Sequence, residues 1–177
     1  MAAVRVKRRG LLLGASAGAA ATAIGLTNWW QTGQADGVPR GSPVAVDLQD
    51  LPTGKLLTLN WQDKPVWVLR RSPTELAALA GHEALLTDAD SQHSVQPPAC
   101  RNRHRSLKPD IFVAVGLCTH LGCTPQLRGA DGFTCPCHAS HYDLAGRVFR
   151  VGPAPANLVI PAYHFASDNR LMIGTSA

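Results

Sequence analysis

Four of the five cysteines and two of the seven histidines lie within 21 residues, between positions 118 and 138. They form two short motifs, Cys-Thr-His-Leu-Gly-Cys at 118–123 and Cys-Pro-Cys-His at 135–138. Such clustering is not expected by chance, and thiolates and imidazoles are the side chains that bind zinc and iron. Each motif offers one thiolate and one imidazole, at C-x-H and C-x-x-H spacing. The pattern therefore predicts a fold built around a four-ligand metal site between two loops.

One cysteine of each motif, Cys123 and Cys137, is left over by this arrangement. In an oxidising compartment two spare thiols that face each other are expected to oxidise, which would join the two loops. The same donor types also suit a structural zinc ion. Zinc has no use for a second cysteine pair, so we retain it only as an alternative.

The N-terminal part of the chain contains a candidate membrane anchor. Residues 10–35 include no charged side chain, and Leu11–Trp30 covers about 30 Å of hydrocarbon as a helix. Basic residues precede this stretch, and Trp29 and Trp30 close it, as in a helix with a cytoplasmic N-terminus. We therefore predict one transmembrane helix at 11–30, with the rest of the chain outside the cytoplasm.

Residues 1–10 are similar to a twin-arginine export signal, because Arg8 and Arg9 precede a weakly hydrophobic stretch rich in alanine and glycine. We predict a single-pass protein of the cell inner membrane, with a cytoplasmic N-terminus and a periplasmic head. A cleaved signal peptide is the alternative, and the Ala-Thr-Ala run at 21–23 offers a cleavage site for it.

A linker follows the anchor. Residues 31–45 contain three glycines and two prolines and show no apolar period, which predicts a flexible tether before a globular domain at 46–177. Four of the 17 Lys and Arg residues lie among the first ten positions, so the remainder nearly balances the 12 Asp and Glu residues. Because the excess positive charge is not on the predicted domain, we expect no nucleic-acid partner.

The domain is predicted to be all-β, because short apolar runs separated by turn residues are typical of a sandwich or barrel. One helix is predicted over Pro73–Ala80, where Ser72 and Glu75 form a capping box with proline at the first helical position. The predicted strands are Val44–Val46, Leu56–Leu59, Pro65–Leu69, Ile111–Val115, Leu158–Ile160 and Leu171–Ile173.

The polar segment 91–109 contains two adjacent prolines and four Lys or Arg side chains. We interpret it as a solvated surface loop, with a docking patch for an acidic partner as the alternative. Arg70 and Arg71 are interpreted as the solvated end of a strand. Cys100, the odd cysteine, is predicted to be an incidental residue partly shielded within the polar segment, with a reactive thiol as the alternative.

The two motifs closely resemble those of the Rieske iron-sulfur proteins, in particular the membrane-anchored subunit of the cytochrome bc complex. The resemblance includes the arginine pair, the anchor and the tether. It also includes Gly152, Pro153, Ala154 and Pro155, which are similar to the family's proline loop beside the cluster. It implies an all-β Rieske-type head of antiparallel sheets, with a cluster-binding subdomain at about 116–156 and one short helix, behind a single N-terminal transmembrane helix.

The resemblance also implies one 2Fe-2S cluster and a disulfide. The implied ligands are Cys118 and Cys135 on one iron and His120 and His138 on the other, and the implied disulfide joins Cys123 to Cys137. Replacing two thiolates by neutral imidazoles removes negative charge from one iron. The reduction potential of such a cluster therefore lies well above that of plant-type ferredoxins.

Other residues match family positions that tune or use the cluster. Ser140 and Tyr142 match hydroxyls that bond a bridging sulfide and a ligand sulfur, which draws electron density from the sulfur and raises the potential. Leu121 matches an apolar side chain that shields the cluster and contacts the quinol site. His138, with His120 beside it, matches the catalytic ligand that meets the quinol.

Two positions depart from the family pattern. Fourteen residues separate His120 from Cys135, slightly fewer than usual, and we expect a shortened surface turn at Pro125–Gly132. Ala139 stands where glycine is usual. Because glycine readily adopts positive φ, alanine is expected to be strained at this position.

The resemblance implies the electron-transfer subunit of a respiratory ubiquinol:cytochrome c oxidoreductase, a translocase that is catalytic only as a complex. The head would take an electron with a coupled proton from ubiquinol at cytochrome b and pass the electron to a membrane-bound c-type cytochrome. The complex would be a dimer in the lipid bilayer. The alternative is the small Rieske subunit of an exported oxidase such as arsenite oxidase, whose partner is a molybdenum subunit.

Overall fold

The computed structural model describes residues 41–176. They form nine β-strands in three antiparallel three-stranded sheets, with one short α-helix and three 3-10 turns. The all-β class with one short helix is confirmed. The predicted export signal, the anchor at 11–30 and most of the tether at 31–45 lie outside the described residues. Within 41–176, no helix reaches the length and hydropathy needed to cross a membrane.

Strands β1 (Val44–Asp47), β8 (Tyr163–Ser167) and β9 (Arg170–Ile173) form the first sheet, in the order β1-β9-β8. Val46 lies opposite Leu171 in the β1-β9 pair, and both side chains are buried. β1 begins at Val44, so it includes the last two residues of the predicted tether. The last two tether positions therefore belong to the folded domain, because they pair with β9.

Strands β2 (Leu56–Trp61), β3 (Lys64–Arg70) and β4 (Ile111–Val115) form the second sheet, in that order. Gln62 and Asp63 form the two-residue turn between β2 and β3, and both have positive φ, 53° and 58°, as a type I′ hairpin requires. The middle of β3 and all of β4 are buried. Burial on both faces explains why these strands are continuous apolar runs.

Strands β5 (Gln126–Leu127), β6 (Phe133–Thr134) and β7 (His141–Tyr142) form the third sheet, in that order. They lie within the range predicted for the cluster-binding subdomain. Two-residue strands have no period that a sequence could reveal, because their pairing depends on the turns between them. The sheet places the second motif in the turn between β6 and β7, whereas the first motif follows β4.

Buried aromatic packing joins the third sheet to the second. Phe133 of β6 stacks on Trp67 of β3 with ring centroids 4.8 Å apart, and its ring lies 6.3 Å from that of Phe112 in β4. Gly116, the residue after β4, faces the Trp67 ring so closely that any Cβ would collide with it. Because Gly116 has no side chain, the backbone can pass beside the Trp67 ring between β4 and the first motif.

Helix α1 spans Pro73–Ala77 and begins at the predicted capping box. The Glu75 backbone N–H donates to Ser72 Oγ (3.2 Å), and the Ser72 N–H donates to the Glu75 carboxylate (2.6 Å). The predicted helix end at Ala80 is wrong by three residues. The last turn is tightened, because its N–H groups donate to carbonyl oxygens three residues back instead of four.

One predicted strand is absent, and β8 was missed, as were the two-residue strands of the third sheet. Leu158–Ile160 is not a strand, because its backbone bonds two different segments: the Val115 N–H donates to the Val159 carbonyl, and the Ile160 N–H donates to the Val95 carbonyl. β8 was not predicted. It mixes aromatic with polar residues and contains an irregularity between Phe165 and Ser167, which interrupts the alternation that marks a strand.

Three buried arginines converge on the turn 143–147. Arg147 pairs with Asp143 within this turn (Nε to Oδ2, 2.6 Å). Arg71 and Arg105 donate to backbone carbonyl oxygens of the same turn at 3.1 to 3.3 Å. Arg71 is 2% exposed, so its predicted place at a solvated strand end is wrong. Burial lowers the pKa of both Arg71 and Arg105 to about 10, which leaves them charged at neutral pH.

The segment 91–109 is not simply the solvated loop that we predicted. Ser91, Cys100, Arg105 and Ser106 within it are buried. Hydrogen bonds within the protein offset much of the cost of burying them; Ser106 Oγ, for example, accepts from a buried guanidinium at 2.8 Å. The predicted shielding of Cys100 is confirmed.

Replacing Asp143 by asparagine should lower the free energy of unfolding by about 3–5 kcal/mol, because buried Arg147 would lose its counter-charge. Chemical denaturation measures this change. The control is Asp168→Asn, in the exposed ion pair with Lys108, where Asp168 is 98% exposed. The control should change stability little, because water screens an exposed pair. Equal effects of the two substitutions would contradict a stabilising role for the buried pair.

Candidate metal centre

The first motif forms a closed loop after β4. The backbone N–H of Cys118 donates to the carbonyl oxygen of Cys123 (2.8 Å), and that of Gly122 donates to the carbonyl oxygen of Cys118 (2.9 Å). These bonds close the base of the loop. Cys118 is 4% exposed, His120 is partly buried, and Leu121 in the middle of the loop is 72% exposed.

The second motif is closed in a similar way between β6 and β7. The Cys135 N–H donates to the Ser140 carbonyl oxygen (2.8 Å), and the Ala139 N–H donates to the Cys135 carbonyl oxygen (3.1 Å). Cys135 is buried, whereas His138 is exposed. Both loops therefore begin at a buried cysteine and direct later residues outward.

A disulfide between Cys123 and Cys137 joins the two loops, which confirms the predicted pairing. The Cys135 sulfur lies within 4.8 Å of both disulfide sulfurs. Those two atoms are bonded to each other, so they cannot bind a metal as thiolates. The free thiols at the two loops are Cys118 and Cys135, both buried.

The structure brings the two candidate imidazole ligands together across the two loops. The rings of His120 and His138 lie 4.8 Å apart and nearly perpendicular, at 87°. The thiols of Cys118 and Cys135 are both free and buried. His120 Nδ1 is buried and has no hydrogen-bond partner among the described residues. An orphaned imidazole nitrogen and two free buried thiols on the same pair of loops fit the mixed donor set of the implied iron-sulfur centre.

The surroundings of Cys118 favour its thiolate form. Burial by itself raises the pKa of this thiol. Hydrogen bonds from the Tyr142 hydroxyl, the His120 backbone N–H and the side chains of Cys135 and Ser140 outweigh burial and hold the pKa below its ordinary value. Because the thiolate is the form that binds metal, this site is prepared for a cation.

Tyr142 donates its hydroxyl proton to the Cys118 sulfur across 3.2 Å. The same oxygen accepts a hydrogen bond from the Thr119 backbone N–H (3.1 Å). Burial and the bond to the Cys118 sulfur raise the pKa of Tyr142 above its ordinary value. The phenol therefore keeps the proton that it donates.

The predicted proline loop, 152–155, packs against the second motif. Ser140 is fully buried, and its Oγ accepts a hydrogen bond from the Ala154 N–H (3.1 Å). The hydroxyl proton of Ser140 therefore remains available to another acceptor. Gly152 has a φ of +96°, and a Cβ there would lie 2.8 Å from the Ser140 Cα. The close approach of the loop thus requires glycine.

Thr119 is a site residue that the sequence analysis missed. Its Oγ1 donates to the Ala156 carbonyl oxygen (2.7 Å), just after the proline loop, and lies 3.2 Å from the Tyr142 hydroxyl. It therefore ties the first motif to the proline loop. Its position between Cys118 and His120 was the only signal in the sequence.

The outer side of the loops is open to solvent. Leu121 and His138, both predicted to contact quinol, are exposed, whereas His120, predicted to lie beside His138 at the quinol, is partly buried. Leu121 and His138 are therefore accessible to a partner molecule.

The two departures from the family pattern have different consequences. The segment Pro125–Gly132, where we expect the shortening, forms β5 and an exposed 3-10 turn at Gly129–Asp131, so the predicted surface turn is present. Ala139 has a φ of +56°. This left-handed conformation costs an L-residue about 1–2 kcal/mol. The predicted strain at Ala139 is confirmed.

Comparison with known protein families gives a match to the Rieske [2Fe-2S] domain over residues 29–164. The ubiquinol-cytochrome c reductase iron-sulfur subunit of Allochromatium vinosum is 48% identical over 145 residues, which cover 76% of this chain and 70% of that protein.

The mitochondrial cytochrome b-c1 complex subunit Rieske of Theropithecus gelada is 40% identical over 133 residues. The match covers 74% of this chain and 45% of that protein, so the chain spans less than half the length of this mitochondrial relative. A chain of a solved structure, described as a hyperthermophilic respiratory Complex III, has a TM-score of 0.51 at 23% identity, covering 87% of this chain and 95% of that one. This last likeness concerns the fold.

Replacing Ala139 by glycine should raise the free energy of unfolding by about 1 kcal/mol, because glycine adopts the left-handed conformation without a steric cost. Thermal or chemical denaturation measures it. Ala78→Gly is the matched control, since Ala78 follows helix α1 with a φ of −67°. There the same change should lower stability by about 0.5–1 kcal/mol. Destabilisation by both substitutions would show that the strain is absent.

Proposed function

The chain belongs to the Rieske [2Fe-2S] domain family, and on this basis we propose that it is the iron-sulfur subunit of a respiratory ubiquinol:cytochrome c oxidoreductase. Membership of the family implies one 2Fe-2S cluster. The relatives from Allochromatium vinosum and Theropithecus gelada are named as subunits of such complexes. The observation that supports the proposal most directly is the pair of facing loops, with two free buried thiols and two imidazole rings.

Cys118 and Cys135 are the proposed ligands of one iron, and His120 and His138 those of the other. The orphaned Nδ1 atom of His120 and the lowered pKa of Cys118 both favour metal binding. When bound, the cluster supplies a one-electron carrier whose potential is high because two of its ligands are neutral imidazoles. Tyr142 raises this potential further by its hydrogen bond to a ligand sulfur.

The exposed face of the loops is the proposed contact with quinol. His138 is exposed, so its non-ligating ring nitrogen is accessible to a hydroxyl of the substrate and can hold the proton that accompanies the electron. Leu121 offers an apolar surface beside it. The remaining residues of the two loops orient these groups and keep the thiols away from water.

The proposed setting is the cell inner membrane, with a transmembrane helix at 11–30 and the head in the periplasm. The proposed partners are cytochrome b, where ubiquinol is oxidised, and a membrane-bound c-type cytochrome, in a dimeric complex. The part of the predicted tether that precedes β1, 31–43, would let the head reach both partners in turn. These proposals are supported by the sequence of the N-terminal part and by the relatives, which are subunits of cytochrome bc complexes.

The test is to isolate the full chain from membranes and measure its metal content, its electron paramagnetic resonance signal on reduction, and its co-purification with cytochrome b. We expect two irons with two acid-labile sulfides, a signal in the reduced state, and cytochrome b in the same fraction. Zinc in place of iron would contradict the cluster. A molybdenum subunit in place of cytochrome b would indicate an exported oxidase.

Two cysteine variants test the ligand assignment. Cys118 and Cys100 are both free and buried, so Cys118→Ser and Cys100→Ser make the same chemical change at matched sites. We expect the iron content to be lost in the first variant and kept in the second. Full iron content in Cys118→Ser would contradict its role as a ligand.

Replacing Tyr142 by phenylalanine should lower the reduction potential by an amount on the order of 1 kcal/mol, because one hydrogen bond to a charged sulfur is lost. A redox titration followed by electron paramagnetic resonance measures it. Tyr163→Phe is the control, because Tyr163 is also buried but its hydroxyl bonds the Leu107 N–H and the Cys100 thiol instead. The control should leave the potential unchanged. An equal potential in both variants would contradict the tuning role of Tyr142.

If proton uptake accompanies electron uptake, the reduction potential should fall as pH rises above neutrality. The slope should approach about 59 mV per pH unit, the value for one proton per electron. Voltammetry of the full chain in detergent measures this slope. A potential that does not change with pH up to strongly alkaline conditions would contradict the proposed proton coupling.

A further inference from the structure

Asn157 is a buried amide that bonds two distant parts of the chain. It is 1% exposed. Its Nδ2 group donates to the Asp88 carbonyl oxygen (2.8 Å) and to Ser91 Oγ (3.2 Å), and its Oδ1 accepts from the Val148 backbone N–H (2.8 Å). Its own N–H donates to Ser94 Oγ (3.2 Å). All of its hydrogen-bonding groups on the side chain are therefore used within the protein.

The first connection of Asn157 is to the proline loop, which ends two residues earlier. Ala154 of this loop donates its N–H to Ser140 Oγ (3.1 Å), and the carbonyl oxygen of Ala156 accepts from Thr119 Oγ1 (2.7 Å). Only two residues separate Ala154 from Asn157 along the chain. A fixed Asn157 therefore limits the movement of the Ala154 N–H. This N–H donates to Ser140 Oγ and so orients the Ser140 hydroxyl.

The second connection is to the strand that carries Tyr142. Val148, which donates to Asn157, forms an antiparallel bridge with Tyr142. The next residue, Phe149, donates its N–H to the His141 carbonyl oxygen (3.0 Å). The side-chain amide of Asn157 thus fixes Val148, and the segment 148–149 pairs with β7.

The loop 88–94 is the fixed segment to which Asn157 bonds. Hydrogen bonds to the Asp88 carboxylate hold the shape of this loop. The Asp88 side chain accepts from two backbone N–H groups of this loop, at 2.7 and 3.0 Å, and from Ser94 Oγ at 2.7 Å. The Ser94 hydroxyl then accepts from the Asn157 N–H. A loop closed by so many internal hydrogen bonds offers Asn157 a fixed point.

We propose that Asn157 is a positioning residue for the cluster, which holds the Ser140 and Tyr142 hydroxyls in line with the sulfur atoms that they tune. This inference rests on the proposed function, because it assumes that both hydroxyls donate to cluster sulfur. Asn157 itself touches neither motif in the contacts described. It acts through the proline loop on one side and through Val148 on the other.

The test is Asn157→Ala in the full chain, isolated with its cluster. We expect the reduction potential to fall and the g values of the reduced cluster to shift, because both hydroxyls lose their alignment while iron content is retained. A residue that only stabilised the fold would lower the melting temperature without moving either redox property.

Asn102→Ala is a matched control. The Asn102 side chain also makes three hydrogen bonds: Nδ2 donates to two backbone carbonyl oxygens, and Oδ1 accepts from one backbone N–H. None of these involves either motif, the proline loop or β7. The control should leave the potential and the g values as they are in the unmodified chain, whatever its effect on stability.

Ser94→Ala is a milder second variant, because it removes only the hydroxyl that joins Asn157 to Asp88. It should shift the potential in the same direction by a smaller amount. A potential and g values that stay unchanged in folded Asn157→Ala, or in Ser94→Ala if the first variant does not fold, would overturn the proposal. Absence of the cluster from the unmodified chain would instead overturn the proposed function.

Discussion

The candidate centre depends on the disulfide that joins its two loops. Local hydrogen bonds fix the shape of each loop but not its position relative to the other loop. Backbone hydrogen bonds close the base of each loop, and these are local. The Cys123–Cys137 disulfide links one loop to the other, and across this link the rings of His120 and His138 lie 4.8 Å apart. The bond between the loops is covalent and persists in an oxidising compartment. Ligand geometry can therefore be maintained on segments that contain almost no regular structure.

Desolvation is the second constraint, because every polar group buried under the loops needs a partner. The Cys118 sulfur receives the Tyr142 hydroxyl, and buried Arg147 is neutralised by Asp143. Asn157 connects the proline loop to a separate loop that is itself closed by hydrogen bonds. These contacts form a polar frame beneath an exposed surface. The frame makes the buried side of the centre rigid while its outer residues stay accessible.

Sequence patterns predicted those strands and helix ends that depend on interactions between residues close together in the chain. The hairpin strands β2 and β3, the buried strand β4 and the start of helix α1 were all recognisable, because apolar runs and a capping box act over a few residues. The end of the helix was not, since a tightened last turn leaves no clear mark in the sequence. Arg71 was misplaced because its partners lie 33 to 73 residues away. The two-residue strands of the third sheet depend on tertiary pairing and have no period at all.

The sequence by itself determined the chemistry of the centre, because thiols and imidazoles at these spacings are a property of residue type. It also determined which two cysteines were left to form the disulfide, and that Ala139 would be strained where glycine is usual. Only the tertiary structure decided that Thr119 bonds the proline loop and that Asn157 lies at the junction of two distant segments. Burial and hydrogen-bond partners depend on contacts between residues far apart in the chain, and such contacts follow from the packing of the whole domain rather than from local sequence.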